Sequence, residues 1–116
     1  MSRKTAPDWV SEFPAAVTVC DIEGTVLSMN ARACATFRRS GGRKLVGREL
    51  LSCHPAPARA KLEKMLREGT SNAYTIEKAG KKKLIYQAPW KKGGRLMGLV
   101  EISIVLPDKL PHFIRK

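Results

Sequence analysis

The alternation of apolar and polar positions predicts two strands joined by a tight turn near the start of the chain. Residues 16–20 are short, apolar and rich in β-branched side chains, which is typical of a strand. Gly24 can take the positive φ that a turn requires, and residues 25–29 resume the strand pattern. Residues 16–29 are therefore predicted to form a β-hairpin.

Two helices are predicted after this hairpin. Asn30 stands at an N-cap position, where its side-chain oxygen can accept from open amides, and the alanine-rich residues 31–37 follow. The clearer helix has Pro57 in its first turn and ends at Gly69. Its apolar face consists of Ala58, Leu62, Met65 and Leu66. The connector between the two helices, residues 45–51, is expected to hold at most a helical turn or two.

The last third of the chain predicts three strands, at residues 73–78, 83–90 and 96–106. In the last of them one side is wholly apolar, and we expect that side to face the core; it comprises Leu96, Val100, Ile102, Ile104 and Leu106. The two early strands can join the three later ones only through a long helical crossover. The predicted fold class is α+β, with a five-stranded antiparallel sheet covered on one face by short helices.

Length and composition fit one globular domain. The chain has 116 residues, 43% of them hydrophobic, and no apolar run long enough for a membrane-spanning helix. The basic start is not followed by the apolar stretch of a secretory signal. Three widely spaced cysteines suit reduced thiols better than disulfides or a zinc site. We expect a cytoplasmic protein without a membrane partner.

The net charge of +12 raises the question of nucleic-acid binding. The basic residues occur in short clusters such as 81–83 and 91–92, without the interleaved aromatic side chains that single-stranded nucleic acid stacks on. Specific nucleic-acid binding is therefore not expected. A small basic nucleic-acid-associated protein is kept as the alternative function.

Three segments resemble the motifs of PAS sensory domains. Residues 21–33, DIEGTVLSMNARA, are similar to the family signature D-x-x-G-x-[VI]-x-x-x-N-x-A. Residues 45–50, LVGREL, look like the stretch that precedes the long helix, and His54-Pro55 resembles the start of the family's HPDD segment. The resemblance covers residues 13–107 and predicts that they form a PAS domain. It leaves residues 1–12 as a lead-in segment and 108–116 as a tail or linker.

The resemblance implies a sensory or regulatory module of signal transduction, like those attached to kinases, cyclases or transcription regulators. It implies small-ligand sensing, homodimerisation or docking on an output domain or protein partner. Trp9 and Phe13 have no obvious core position ahead of the first strand, so we expect the N-terminal segment to contribute to a homodimer. No catalytic constellation and no metal motif is present, so an enzyme is not expected.

The resemblance also suggests where a cofactor would bind. Some PAS domains bind heme through a histidine near the long helix, which here makes His54 the candidate heme ligand, although an ordinary exposed histidine is the favoured interpretation. The acidic pair of HPDD is missing, since Ala56 and Pro57 stand there. Residues 40–50 contain no cysteine, which argues against a covalent flavin adduct. Cys53 is the candidate redox thiol, with a buried inert thiol favoured.

The pocket of such a fold lies between the sheet and the helices. Its candidate wall residues are Val17, Val19, Val26, Phe37, Leu45, Leu50, Leu62, Leu66, Ile85, Val100, Ile102 and Ile104. A stripe of this kind is more often plain core than ligand cavity, and the natural ligand is not identified by the sequence.

Overall fold

The structure, a computed structural model that describes residues 6–51 and 54–116, is built on one antiparallel sheet of five strands. The strands are β1 Ala16–Asp21, β2 Val26–Met29, β3 Asn72–Lys78, β4 Lys81–Lys92 and β5 Arg95–Val105, and the helices are α1 Ala31–Thr36 and α2 Ala56–Glu68. The strand order β2-β1-β5-β4-β3 places β5 at the centre, between β1 and β4. The predicted α+β class, with its helical crossover, is confirmed.

The structure confirms the predicted cap of α1 and both predicted ends of α2. The Asn30 side chain accepts a hydrogen bond from the Ala33 amide at 2.9 Å and so caps α1. Pro57 lies in the first turn of α2, and Gly69 ends the helix with a φ of 66°. Between β3 and β4 the chain turns at Ala79 and Gly80, both with positive φ, as a two-residue hairpin requires.

Asn30 also joins separate parts of the chain. Its Oδ1 accepts from the Val17 amide at 3.0 Å, and its Nδ2 donates to the Ala15 carbonyl at 2.8 Å and the Val10 carbonyl at 2.9 Å. The side chain is buried, so these bonds replace water that cannot reach it. One amide therefore holds the start of α1, the first strand and the segment before it together.

The segment between α1 and α2 contains two 3-10 turns and an extended part. The turns end at the start of the connector 45–51, in which the sequence predicts a helical turn or two. Two 3-10 turns, Arg38–Ser40 and Gly42–Leu45, follow α1. The chain then runs beside the start of β2, where the Val26 amide donates to the Arg48 carbonyl at 2.9 Å and the Leu50 amide donates to the Gly24 carbonyl at 2.8 Å. This pairing positions Leu45 and Leu50 over the sheet.

The two faces of the sheet differ from the prediction. Strand pairing sets Thr18 opposite Glu101 and Cys20 opposite Leu99, and these side chains lie under the helices, on what we call the inner face. The expectation that the wholly apolar side of β5 faces the helices is wrong. Val17, Val19, Leu84, Tyr86, Val100, Ile102 and Ile104 lie on the opposite side, which we call the outer face. Alternation identifies two faces of a strand but does not say which one the helices cover.

The core consists of two adjoining apolar clusters on the inner face. One packs α2 against the sheet and comprises Cys20, Leu62, Met65, Leu66 and Leu99. The other packs α1 against the first hairpin and comprises Ala16, Val26, Met29 and Ala33. Leu50 contacts both clusters, so the connector closes the space between the two helices.

Both ends of the described chain expose apolar side chains. Trp9 and Phe13 stack edge to face with ring centroids 5.3 Å apart, and both are exposed. Near the C-terminus Leu110, Phe113 and Ile114 are exposed as well. Among the described residues, no helix has the length and apolar character needed to cross a membrane. The cytoplasmic location and the boundaries at residues 12 and 107 stay predictions.

Candidate functional site

A pocket of about 420 Å³ lies between the inner face of the sheet and the connector. This volume falls in the range that small-molecule sites occupy. Its walls are mainly apolar and are contributed by Cys20, Val26, Met29, Phe37, Leu45, Leu50, Leu62, Ile76, Ile85 and Leu99. Every strand of the sheet, α2 and the connector contribute to the lining, so the pocket depends on the whole fold.

A row of polar side chains on three neighbouring strands reaches this pocket, which Gln87 and Glu101 line. Gln87 on β4 lies opposite Glu101 on β5, and Asn72 on β3 lies opposite Gln87. The Asn72 Nδ2 donates to Gln87 Oε1 at 3.0 Å, and the Gln87 Nε2 donates to Glu101 Oε1 at 2.8 Å. We call these three residues the amide relay. Glu101 is half-buried and is an inner-face residue that the sequence-based wall did not include.

Burial alters the acidity of two groups that line the pocket. Partial burial, and to a smaller extent the charge of Glu101, raises the pKa of the Tyr74 hydroxyl above its usual range. Burial also raises the pKa of the Cys20 thiol. A thiol that stays protonated is a poor nucleophile, so Cys20 acts as a packing residue.

His54 lines the pocket at the start of α2. Its Nδ1 lies 2.7 Å from the Leu50 carbonyl oxygen. A carbonyl oxygen only accepts, so Nδ1 carries a proton in this contact. Many metal-ligating histidines donate their other ring N–H to a carbonyl in this way, but a histidine that only satisfies a carbonyl makes the same bond, so the contact does not identify His54 as a ligand. The pocket volume lies toward the lower end of the small-ligand range, whereas a porphyrin is a large ligand.

The basic side chains that line the pocket do not neutralise Glu101. Arg48, Lys78 and Lys83 are lining residues, yet no lysine or arginine of the described chain lies within 4 Å of the Glu101 carboxylate. The described residues contain no cluster of three metal-ligating side chains either. The pocket is thus mostly apolar, with one carboxylate held at a fixed place.

The structure brings half of the predicted wall residues together. Val26, Phe37, Leu45, Leu50, Leu62 and Ile85 line the pocket. Leu66 is buried in the core instead. The other five, Val17, Val19, Val100, Ile102 and Ile104, lie on the outer face, which corrects their assignment to the wall. Cys53, the predicted redox thiol, lies outside the described residues.

Sequence reasoning missed the amide relay and Tyr74. A signal was present, because Glu101 and Ser103 are polar positions in a strand that otherwise consists largely of apolar residues. An acidic residue in a central strand must face water, a partner or a ligand. Asn72 has no such signal, since polar residues are ordinary in an edge strand such as β3, and Gln87 is one of several polar residues in β4.

Comparison with known proteins identifies the fold independently. A family model described as PAS fold matches residues 10–106. No protein of curated function matches the sequence. The PAS domain of Bordetella pertussis BvgS is 19% identical, with a TM-score of 0.62 over 86% of this chain and 82% of that chain.

Two further solved structures share the fold. The Vibrio cholerae Aer2 receptor, a dual PAS-heme oxygen sensor, is 15% identical, with a TM-score of 0.59 over 80% of this chain and 95% of that chain. Vibrio cholerae VqmA, in a structure with DPO bound, is 13% identical, with a TM-score of 0.63 over 84% of this chain and 54% of that chain. At these identities the likeness concerns the fold.

Proposed function

Because this chain belongs to the PAS-fold family, we propose that it is a sensory or regulatory module of signal transduction that binds a small molecule. The observation that carries the proposal is the pocket of about 420 Å³, whose walls are mainly apolar and which a hydrogen-bonded row of polar groups reaches. Sites for small molecules combine apolar walls with a few placed polar groups in this way. VqmA has been solved with DPO bound, which supports a ligand-binding role for a protein of this fold.

Filling the pocket tests this function. Leu50→Trp places a larger side chain on the pocket wall, while Leu27→Trp makes the same change at an exposed position outside it. We expect native mass spectrometry to detect small molecules that wild type and Leu27→Trp take up from a cell extract and that Leu50→Trp does not. Absence of any bound small molecule in wild type, or equal uptake by all three proteins, would contradict the proposal.

A second part of the proposal is that the module pairs with a copy of itself. The outer face is apolar across three strands and stays partly open, with Tyr86 44% and Ile104 38% exposed. The N-terminal segment adds the exposed Trp9 and Phe13. Burying such apolar surface between copies is favourable, and a similar protein, VqmA of Vibrio cholerae, is described as a dimer.

Sedimentation velocity tests the pairing. We expect a dimer for wild type and a monomer for Ile104→Glu, which places a charge on the outer face. Ile22→Glu is the matched control, because Ile22 is exposed in the turn between β1 and β2 and lies off that face. A wild-type monomer at high micromolar concentration would refute the pairing, and an unchanged mass after removal of residues 1–13 would refute the part given to the N-terminal segment.

The proposal contains no catalytic step. His54, the histidine in the pocket, bonds a backbone carbonyl through Nδ1 rather than orienting a nucleophile. The protein's output therefore passes to another domain or protein, to which the module transmits a change of shape or association.

Nucleic-acid binding is the alternative function. The +12 charge favours it, but the lysines of 81–83 and those of 91–92 lie at opposite ends of β4. This arrangement separates the basic clusters instead of forming one stripe. A salt titration of DNA and RNA binding distinguishes this alternative from the sensory module. The alternative requires saturable binding that persists at physiological ionic strength.

A further inference from the structure

The hydrogen bonds of the amide relay are donated in one direction, from Asn72 to Gln87 to Glu101, because the carboxylate at its end only accepts. An ionised carboxylate only accepts hydrogen bonds, so Gln87 turns its Nε2 toward Glu101 and its Oε1 toward Asn72. Asn72 in turn must present its Nδ2. Gln87, oriented by Asn72, therefore holds Oε1 of the Glu101 carboxylate, while Oε2 receives no hydrogen bond from the described residues.

Among the described residues, no lysine or arginine forms an ion pair with Glu101, although the chain carries 22 lysines and arginines against 10 acidic residues. Arg48, Lys78 and Lys83 line the same pocket, but none of them lies within 4 Å of the Glu101 carboxylate. A ligand that fills the pocket removes water from Glu101. Removing water from a carboxylate is unfavourable unless the ligand supplies a donor or a positive charge.

We propose that the pocket selects a small, largely apolar molecule that carries a protonated amine, whose N–H group donates to Glu101 Oε2. The inference rests on the proposed function, since it names the class of ligand that the sensory pocket takes. The apolar walls hold the hydrocarbon part of the molecule. The amide relay keeps the carboxylate in position, and a charge-assisted hydrogen bond to it gives the selectivity.

Three probes with one aromatic frame test the ligand class: 2-phenylethylamine, 2-phenylethanol and 3-phenylpropionate. Their affinities are measured by amide chemical-shift titration at millimolar concentration, with shifts at residues 85–87 and 99–103 reporting occupancy of the pocket. For wild type we expect the amine to bind about tenfold more tightly than the propionate, with the alcohol between them. The order of these three affinities tests the proposal without any variant.

Glu101→Gln is the informative variant, because it keeps the shape of the side chain and removes its charge. We expect it to weaken amine binding about tenfold and to change alcohol binding by less than about twofold. Glu77→Gln makes the same change in net charge at an exposed position of β3 outside the pocket, and it should bind all three probes like wild type.

The outcomes separate this inference from the function on which it rests. If the alcohol or the propionate binds most tightly, or if Glu101→Gln leaves amine binding unchanged, the amine class is wrong while the pocket still binds small molecules. If no probe shifts the pocket residues, the inference is overturned for this frame, and the Leu50→Trp uptake experiment decides separately whether the pocket binds a ligand at all.

Discussion

Replacing Asn30 with alanine should be among the most destabilising single changes in this protein. The substitution removes four hydrogen bonds at once, to the amides of Val17 and Ala33 and to the carbonyls of Val10 and Ala15. The side chain is only 6% exposed, so water does not readily replace them. At about 1 kcal/mol for each bond, the expected loss is about 4 kcal/mol. That is a large fraction of the roughly 5–15 kcal/mol by which a domain is stable.

Urea unfolding followed by far-UV circular dichroism measures this loss. The slope of free energy against urea should stay constant while the midpoint falls. Asn30→Ser keeps a capping oxygen for α1 and should recover about 1 kcal/mol of the loss. Asn72→Ala, the matched control, removes one hydrogen bond at a half-buried position and should cost about 1 kcal/mol. A loss below about 1.5 kcal/mol for Asn30→Ala would refute the view that this amide joins three parts of the fold.

Gly98→Ala should cost more than about 3 kcal/mol of stability or prevent folding, because its Cβ would lie 1.9 Å from the Cys20 carbonyl oxygen. Gly47→Ala is the control: it has open space around it and should cost about 1 kcal/mol. Equal losses of stability in urea unfolding would contradict this prediction. Purified protein should show no Soret absorption before or after His54→Ala, and a wild-type band that disappears with the substitution would identify His54 as a heme ligand. Because burial raises the pKa of Cys20, iodoacetamide should modify it at least about tenfold more slowly in the folded protein than in urea, and equal rates by mass spectrometry would disprove its protection.

The fold was largely predictable because local chemistry determined most of its elements. Asn30 and Gly69 cap their helices and Pro57 lies in the first turn of α2, as their side chains or backbones favour, and the alternation of apolar residues located all five strands. The order of these elements, two strands, then helices, then three strands, required the helical crossover, and the motifs of the PAS resemblance agreed with it. The connector was the exception, since its extended part is stabilised by pairing with β2, a contact distant in sequence.

The site was less predictable, and the reason lies in β5. Both sides of this central strand carry apolar residues. Hydrophobicity alone therefore predicts that the more uniformly apolar side, which includes Ile102, faces the helices. The helices cover the other side, with Leu99 and Glu101. Sequence reasoning takes the more hydrophobic side of a strand as the buried one. A pocket can place polar residues on the buried side, so this rule selects the wrong side where a pocket is present. The amide relay needed the register of three strands, which no single stretch of sequence contains.

Neighbouring positions on β5 face opposite surroundings. Glu101 touches the pocket and Ile102 lies on the outer face, so only the thickness of one polypeptide backbone separates the two. A twist or displacement of β5 on the pocket side therefore also moves the outer face, without any intervening chain of side chains. The central strand is a wall shared by the pocket and the outer face, so that under the proposed function a ligand in the one would alter the shape of the other.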